Sequence, residues 1–115
     1  MKTILYMRVS DDSQNLARQR KELKEYARKT GSGACEFISE KISGVAPLTE
    51  RKVYGLLQRN DIERVVVEDV DRLGRDAAEV LAMVKELSQR KVNLTVTRYG
   101  IDTLLPNGEE NPVAK

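Results

Sequence analysis

Val65-Val66-Val67-Glu68-Asp69-Val70 runs directly into Asp71-Arg72-Leu73-Gly74-Arg75, and this junction decides the fold. A β-branched apolar run bounded by charges predicts a buried strand over Glu63 to Val70. An acid and two arginines around a glycine follow it at once. The amino-terminus repeats the arrangement. Thr3 to Val9 is apolar and β-favouring, Arg8 lies near its end, and Ser10 opens the polar run Ser10-Asp11-Asp12-Ser13. In open α/β sheets, side chains that do chemistry collect past the carboxyl ends of parallel strands. If the two strands are parallel neighbours, Ser10 meets three arginines, an arrangement suited to a phosphate and a serine nucleophile.

Between and beyond these strands the pattern is helical. Leu16, Gln19, Leu23, Tyr26 and Ala27 recur at helical spacing through about Thr30, with Ser13 or Asp12 as cap and Gly31 and Gly33 as a stop. Cys35 to Glu40 reads as a short second strand, and Ile42 to Pro47, with Ser43-Gly44 and no periodicity, as a mobile loop. Thr49 or Glu50 opens a second helix with Val53, Leu56 and Leu57 on its inner face, stopping near Asn60-Asp61. Ala77, Val80, Leu81, Val84 and Leu87 line one face of a third helix ending around Gln89-Arg90. Val92 to Thr97 is the last strand. Leu16, Leu23, Val80, Leu81, Val84 and Leu87 are most simply core. This alternation implies right-handed crossovers, and predicts an α/β fold: a mainly parallel central sheet of four to five strands with helices on both faces. The segment from Asp102 to Lys115, with Pro106-Asn107-Gly108 and Pro112, reads as a flexible tail.

The totals narrow the chemistry. A chain of 115 residues, 40% hydrophobic, suits one domain with one core. Net charge is only +2; residues 1–30 hold eight Lys/Arg against four Asp/Glu, a local excess of +4, and the remainder carries −2. There is no histidine, which excludes a Ser-His-Asp triad, a histidine base and a histidine metal site. The single cysteine, Cys35, excludes an intramolecular disulfide and cysteine-based zinc chemistry and fits a reducing compartment. No apolar stretch is long enough for a signal peptide or a membrane span, so a cytoplasmic protein without membrane contact is expected.

Arg8, Arg51, Arg72 and Arg75 stand out by position. A guanidinium is a planar fork of donors matched to phosphate oxygens, and its permanent charge offsets charge that develops in phosphoryl transfer. Each could equally be a solvated charge or an ion-pair partner of Asp69 or Asp71. Ser10 could be a turn or helix cap, though period two along a strand would place it on the side of Arg8. Asp71 is a candidate general acid or base, or a cap. Gln14 and Gln19 could be surface residues of the first helix. Gly74 would let the backbone turn tightly between two arginines.

Taken together, Tyr6-Met7-Arg8-Val9-Ser10, Gln14 and Leu16, Gln19 and Leu23, Ile42-Ser43-Gly44, Arg51 ahead of Leu56-Leu57, Asp71-Arg72-Leu73-Gly74-Arg75 and Tyr99-Gly100-Ile101-Asp102-Thr103 resemble the catalytic domain of the serine recombinases, the resolvase and invertase family. Several short motifs in the right order are more specific than any one alone. The resemblance spans roughly residues 3–105. It implies a resolvase-like three-layer domain over 1–105, with 106–115 as a flexible tail or the stub of a dimerisation helix.

It also implies a chemistry that needs neither metal nor cofactor. Ser10 would attack a DNA phosphodiester to give a 5′-phosphoserine link and a free 3′-hydroxyl, followed by strand exchange and rejoining. Arg8, Arg72 and Arg75 would hold the scissile phosphate, Arg51 would assist, Gln19 would support, and Asp71 would protonate the leaving 3′-oxygen. The partner would be double-stranded DNA at a recombination site, with self-association to a dimer or tetramer in a full-length protein. An isolated domain of this kind is expected to be monomeric and incompetent for full recombination. Two other readings stay open: a non-catalytic α/β interaction module whose arginines form ion pairs, and a flavodoxin-like nucleotide binder. The second lacks a G-x-G-x-x-G fingerprint after the first strand.

Overall fold

The computed structural model describes residues 1–10, 16–31, 33–98 and 100–102. Within them five strands form one sheet in the order β2-β1-β3-β4-β5. These are β1 (Lys2–Val9), β2 (Cys35–Lys41), β3 (Ile62–Val67), β4 (Asn93–Val96) and β5 (Ile101–Asp102). The first four run parallel, and β5 pairs antiparallel with β4 through Thr95↔Asp102 and Val96↔Ile101. The expected mainly parallel sheet with helices on both faces is the fold observed.

Period-two alternation along β1 and β3 builds both layers at once. Leu5, Met7 and Val66 face α1 (Leu16–Lys29), where Leu23 and Ala27 meet them. Ile4, Tyr6, Val65 and Val67 face the opposite layer, which holds α2 (Lys52–Gly55), α3 (Ala77–Gln89) and Leu73. Both faces of the central strands are covered, so their residues from Ile4 to Val9 and Val65 to Val67 are buried without interruption. The chain leaves β1 for β2 on one side and returns for β3 on the other. β1 and β3 are therefore neighbours across the point where strand order reverses, and their carboxyl ends open onto a common crevice.

Three segments depart from the sequence reading. The second helix is broken: a 3-10 turn at Leu48–Glu50, Arg51 in extended conformation (φ −90°, ψ 143°), one α-helical turn, and a second 3-10 turn at Leu56–Gln58. Val53, Leu56 and Leu57 are nonetheless buried as expected. On α3 the buried stripe is Met83 and Leu87 flanked by half-buried Val80 and Val84, whereas Leu81 is 68% exposed and Ala77 lies in solvent. Residues 80, 83, 84 and 87 share one helical face, and Leu81 sits one step off it. β3 ends at Val67, although Thr97 N and Arg98 N continue the ladder to the carbonyls of Val67 and Glu68.

Helix α1 ends at Gly31 in the left-handed region (φ 66°), the stop anticipated there. At the end of α3, Lys91 takes that conformation (φ 60°), with no glycine to mark it in the sequence. The candidate caps Asp12 and Ser13, Gln14, Tyr99 and the segment from Thr103 to Lys115 lie outside the described residues.

Leu23 is fully buried between α1 and the sheet. Leu23→Ala should therefore lower unfolding free energy by about 2–5 kcal/mol, read as a reduced urea midpoint with an unchanged slope.

Candidate functional site

Arg8 is the penultimate residue of β1, on the Tyr6 side of the strand, and is 6% exposed. Its Nη1 donates to Ile42 O at 2.9 Å, and its Nε is buried with no hydrogen-bond partner among the described residues. Burial lowers the affinity of this guanidinium for its proton, the guanidinium charges of Arg51 and Arg72 lower it further, and Asp71 opposes them. Four predicted residues thus act on one another electrostatically at the carboxyl ends of β1 and β3: Arg8, Arg51, Arg72 and Asp71.

Arg51 is 2% exposed and spends its donors on backbone carbonyls. Nε reaches Ala46 O at 3.2 Å, Nη2 reaches Gly44 O at 2.9 Å, and Nη1 reaches Arg72 O at 3.1 Å. It therefore joins the Ile42–Pro47 loop to the turn that carries Asp71 and Arg72. With Arg8 on Ile42 O, three carbonyls of a loop expected to be mobile are held by buried arginines. The extended backbone at Arg51 sends its side chain inward and breaks the helix predicted there.

Arg72 lies in a 3-10 turn, Val70–Arg72, with its side chain 14% exposed. Its Nη2 is 3.7 Å from Glu68 Oε1 and its Nε is 3.6 Å from Asp71 Oδ1, yet the buried Nε makes no hydrogen bond among the described residues. Asp71 is largely exposed. Gln19 of α1, a suspected surface residue, is 2% exposed and donates from Nε2 to Arg8 O at 3.1 Å. Ser10 is exposed just beyond the end of β1, where the strand pleat has already given way to a bend. Arg75 points elsewhere: half exposed, it pairs with Glu79 (3.4 Å) and Asp76 (3.8 Å) at the start of α3.

Gly74 is explained by close approach and not by an unusual φ. A Cβ there would lie 2.8 Å from Glu79 Cβ and 3.2 Å from Val80 N, so only glycine lets this turn press against α3. The contact is reinforced by Asp76, which caps α3 by accepting from Glu79 N at 2.9 Å. Glu79 Oε1 in turn accepts from Arg75 N and Leu48 N, both at 3.0 Å. The Arg75 amide foremost, with the Leu48 amide and the Arg75 charge, holds the Glu79 carboxyl below the usual carboxylate range.

Tyr6, Glu40 and Glu68 were not among the candidate site residues read from the sequence, and Asp69 entered there only as a possible ion-pair partner. Tyr6 donates its buried hydroxyl to Glu40 Oε1 at 2.7 Å, and the same oxygen accepts from Lys52 N at 2.8 Å. Burial, followed by the Glu40 hydrogen bond and charge, raises the phenol well above its ordinary range. Glu68 and Asp69 follow β3 directly; Asp69 is buried and accepts from Arg98 Nη1 at 2.7 Å. Period two from Arg8 would have found Tyr6, and position at a strand's carboxyl end would have found Glu68 and Asp69. A cleft of about 540 Å³ lies on the α1 side, walled by Arg18, Tyr26, Glu68, Thr97 and Arg98 among others. Glu68, through its pair with Arg72, links it to the cationic cluster. Among the described residues no cluster of three or more His, Cys, Asp or Glu could hold a metal ion.

A sequence profile of the family described as "Resolvase, N terminal domain" matches residues 3–110. The chain belongs to the resolvase family. Within that family it is a serine recombinase N-terminal catalytic domain. It is 40% identical over 108 residues to a DNA-invertase of Enterobacteria phage P7, covering 90% of this chain and 52% of that protein. The chain thus spans about half the length of the curated relatives it matches. The fold also superimposes on the N-terminal catalytic domain of TP901-1 integrase (TM-score 0.76, 24% identity, 94% of this chain and 85% of that chain). A second match is the C-terminal catalytic domain of ISC1926 TnpA, an IS607-like serine recombinase (TM-score 0.72, 26% identity, 84% and 69%). The resolvase-like three-layer architecture is therefore the family's own. No helix among the described residues is long and apolar enough to cross a membrane.

Arg51→Lys keeps the charge but cannot reach three carbonyls with one ammonium. It should destabilise the domain by about 1–3 kcal/mol, the cost of leaving buried carbonyls unpaired, and should expose the 42–47 loop to protease before the sheet unfolds. Limited proteolysis alongside urea denaturation reads both effects.

Proposed function

We propose that this domain cuts and rejoins double-stranded DNA at a recombination site through Ser10. The observation that carries the reading is the cluster of buried Arg8 and Arg51 with half-buried Arg72 at the carboxyl ends of β1 and β3, where the Nε atoms of Arg8 and Arg72 have no hydrogen-bond partner among the described residues; Ser10 lies exposed directly beyond β1. Three cations packed this closely, with only the long Arg72 contacts to Glu68 and Asp71 to offset them, favour an anion, and a phosphodiester suits them.

Ser10 Oγ attacks the phosphorus, its proton passes to a base, the P–O3′ bond breaks, and the departing 3′-oxygen takes a proton from Asp71. The product is a 5′-phosphoserine ester and a free 3′-hydroxyl. After strand exchange, a 3′-hydroxyl attacks the ester, its proton returns to Asp71, the P–O bond to Ser10 breaks, and Ser10 recovers its proton from the base. Bond energy is conserved in the ester, so no nucleotide cofactor or metal is required. Arg8 and Arg72 hold the phosphate and offset the charge that develops on it. Arg75 swings in from Glu79, while Arg51 acts from behind by fixing the loop and the Arg72 turn. Gln19 supports Arg8 through its carbonyl. In this reading residues 1–105 form the catalytic domain and 106–115 lead toward a dimerisation helix. The longer protein works as a dimer or tetramer inside the cell, and the isolated domain is a monomer that does not complete recombination.

The test uses this domain fused to a family dimerisation helix and DNA-binding domain. Ser10→Ala should abolish cleavage with fold and DNA binding intact. Arg8→Ala, Arg72→Ala and Arg75→Ala should each slow cleavage on the order of a hundredfold or more, and excess chelator should leave it unchanged. Trapped DNA ends should yield a phosphoseryl peptide at Ser10 by mass spectrometry. Cleavage by the Ser10→Ala protein, or a covalent link at Tyr6 or Tyr99, would refute the assignment.

A further inference from the structure

Glu68 stands between two arginines of different elements. It follows β3 directly, and its side chain is 14% exposed, as is that of Arg72. Arg18 of α1 binds both of its oxygens, Nη1 to Oε2 at 2.8 Å and Nη2 to Oε1 at 3.2 Å. Arg72 Nη2 approaches the same Oε1 at 3.7 Å. The short, forked contacts therefore belong to Arg18, and Arg72 rests on a carboxylate already oriented by α1. Arg18 Nη1 also donates to Glu22 Oε1 at 3.0 Å, so α1 anchors the fork at both ends. The other acid near Arg72, Asp71, is 65% exposed and screened by solvent.

The balance at Arg72 is uneven. Its charge is met by Glu68, but its buried Nε has no hydrogen-bond partner among the described residues. Such a group is neutralised without being saturated, and a phosphate arriving at it must displace a carboxylate while completing a hydrogen-bond set. We propose that Glu68 is a positioning residue that competes with a DNA phosphodiester for Arg72, and that Arg18, by occupying the same carboxylate, sets how strongly it competes. The inference rests on the reading of Arg72 as a phosphate ligand. Without DNA, Glu68 offsets repulsion among the packed guanidiniums; with DNA, Arg18 retains Glu68 and Arg72 is released to the phosphate. The neighbouring residue on α1, Gln19, holds the carbonyl of Arg8, so one helix braces both cationic arms of the site.

The experiment measures binding of this chain to a fluorescein-labelled 20-base-pair duplex by anisotropy across a salt series. The variants are Glu68→Gln, Arg18→Gln, the double variant, Arg72→Ala, and Glu63→Gln, which makes the same charge change at an exposed position at the other end of β3. Glu68→Gln should bind about threefold tighter than Glu63→Gln, the effect of removing one ion pair, and should steepen the slope of log affinity against log salt by about one. Arg18→Gln should weaken binding when Glu68 is present and have no effect when it is Gln. Equal behaviour of Glu68→Gln and Glu63→Gln, or equal losses from Arg18→Gln in both backgrounds, would overturn the competition. If Arg72→Ala weakens binding while those results hold, the failure is confined to Glu68. If Arg72→Ala changes neither affinity nor slope, the phosphate reading of Arg72 falls, and the competition with it.

Discussion

The guanidinium of Arg51 is the constraint on which the site depends. A fully buried cation is costly unless its donors are matched, and here they are matched by the carbonyls of Gly44, Ala46 and Arg72. Those carbonyls belong to two segments far apart in sequence, the loop after β2 and the turn after β3. Satisfying one side chain therefore fixes the distance between the two edges of the crevice. The same requirement holds Arg51 in extended backbone and divides what would have been one continuous helix.

Around that strap the polar atoms interlock and leave three buried side-chain atoms without a partner among the described residues: Nε of Arg8, Nε of Arg72 and Oε1 of Gln19. Glu40 takes the Tyr6 hydroxyl and the Lys52 amide, Arg8 takes Ile42 O, and Gln19 takes Arg8 O. Glu79 gathers the amides of Arg75 and Leu48 and so ties the start of α3, the Gly74 turn and the first 3-10 turn together. Against this pairing, the Nε atoms of Arg8 and Arg72, which have no partner among the described residues, are informative. Buried donors are matched almost everywhere in folded proteins, and exceptions gathered at a crevice carry functional meaning.

The charge pattern separates two kinds of arginine that look alike in the sequence. Arg18, Arg59 and Arg98 are committed to carboxylates at short range: Glu68, the Glu36–Asp61 pair, and Asp69. Arg8 and Arg72 are less well compensated, and Arg8 loses proton affinity to its burial and to its cationic neighbours. Proximity to the strand ends does not by itself distinguish the two kinds, because Arg98 shares it. Compensation does.

The sheet, its parallel sense and the face of each strand were legible in the residues, because periods of 2 and 3.6 are local properties and the apolar runs are long. The positions of Arg8, Ser10 and the Asp71–Arg75 group at strand ends were legible for the same reason. What the residues alone could not determine is which polar group answers which. The residues left Gln19 open between a surface place and a supporting contact, put Leu81 in the core and gave Gly74 the role of allowing a tight turn. The structure makes the first a ligand of Arg8 O, leaves the second in solvent, and explains the third by the approach of Glu79. Each outcome turns on contacts between elements distant in the chain, whose geometry exists only after the sheet has closed and the helices have packed. Sequence pattern alone determined where the chemistry-bearing residues stand along each element. Tertiary structure decided which arginines are paired with carboxylates at short range and which are not, because electrostatic compensation depends on through-space distances that no one-dimensional spacing encodes.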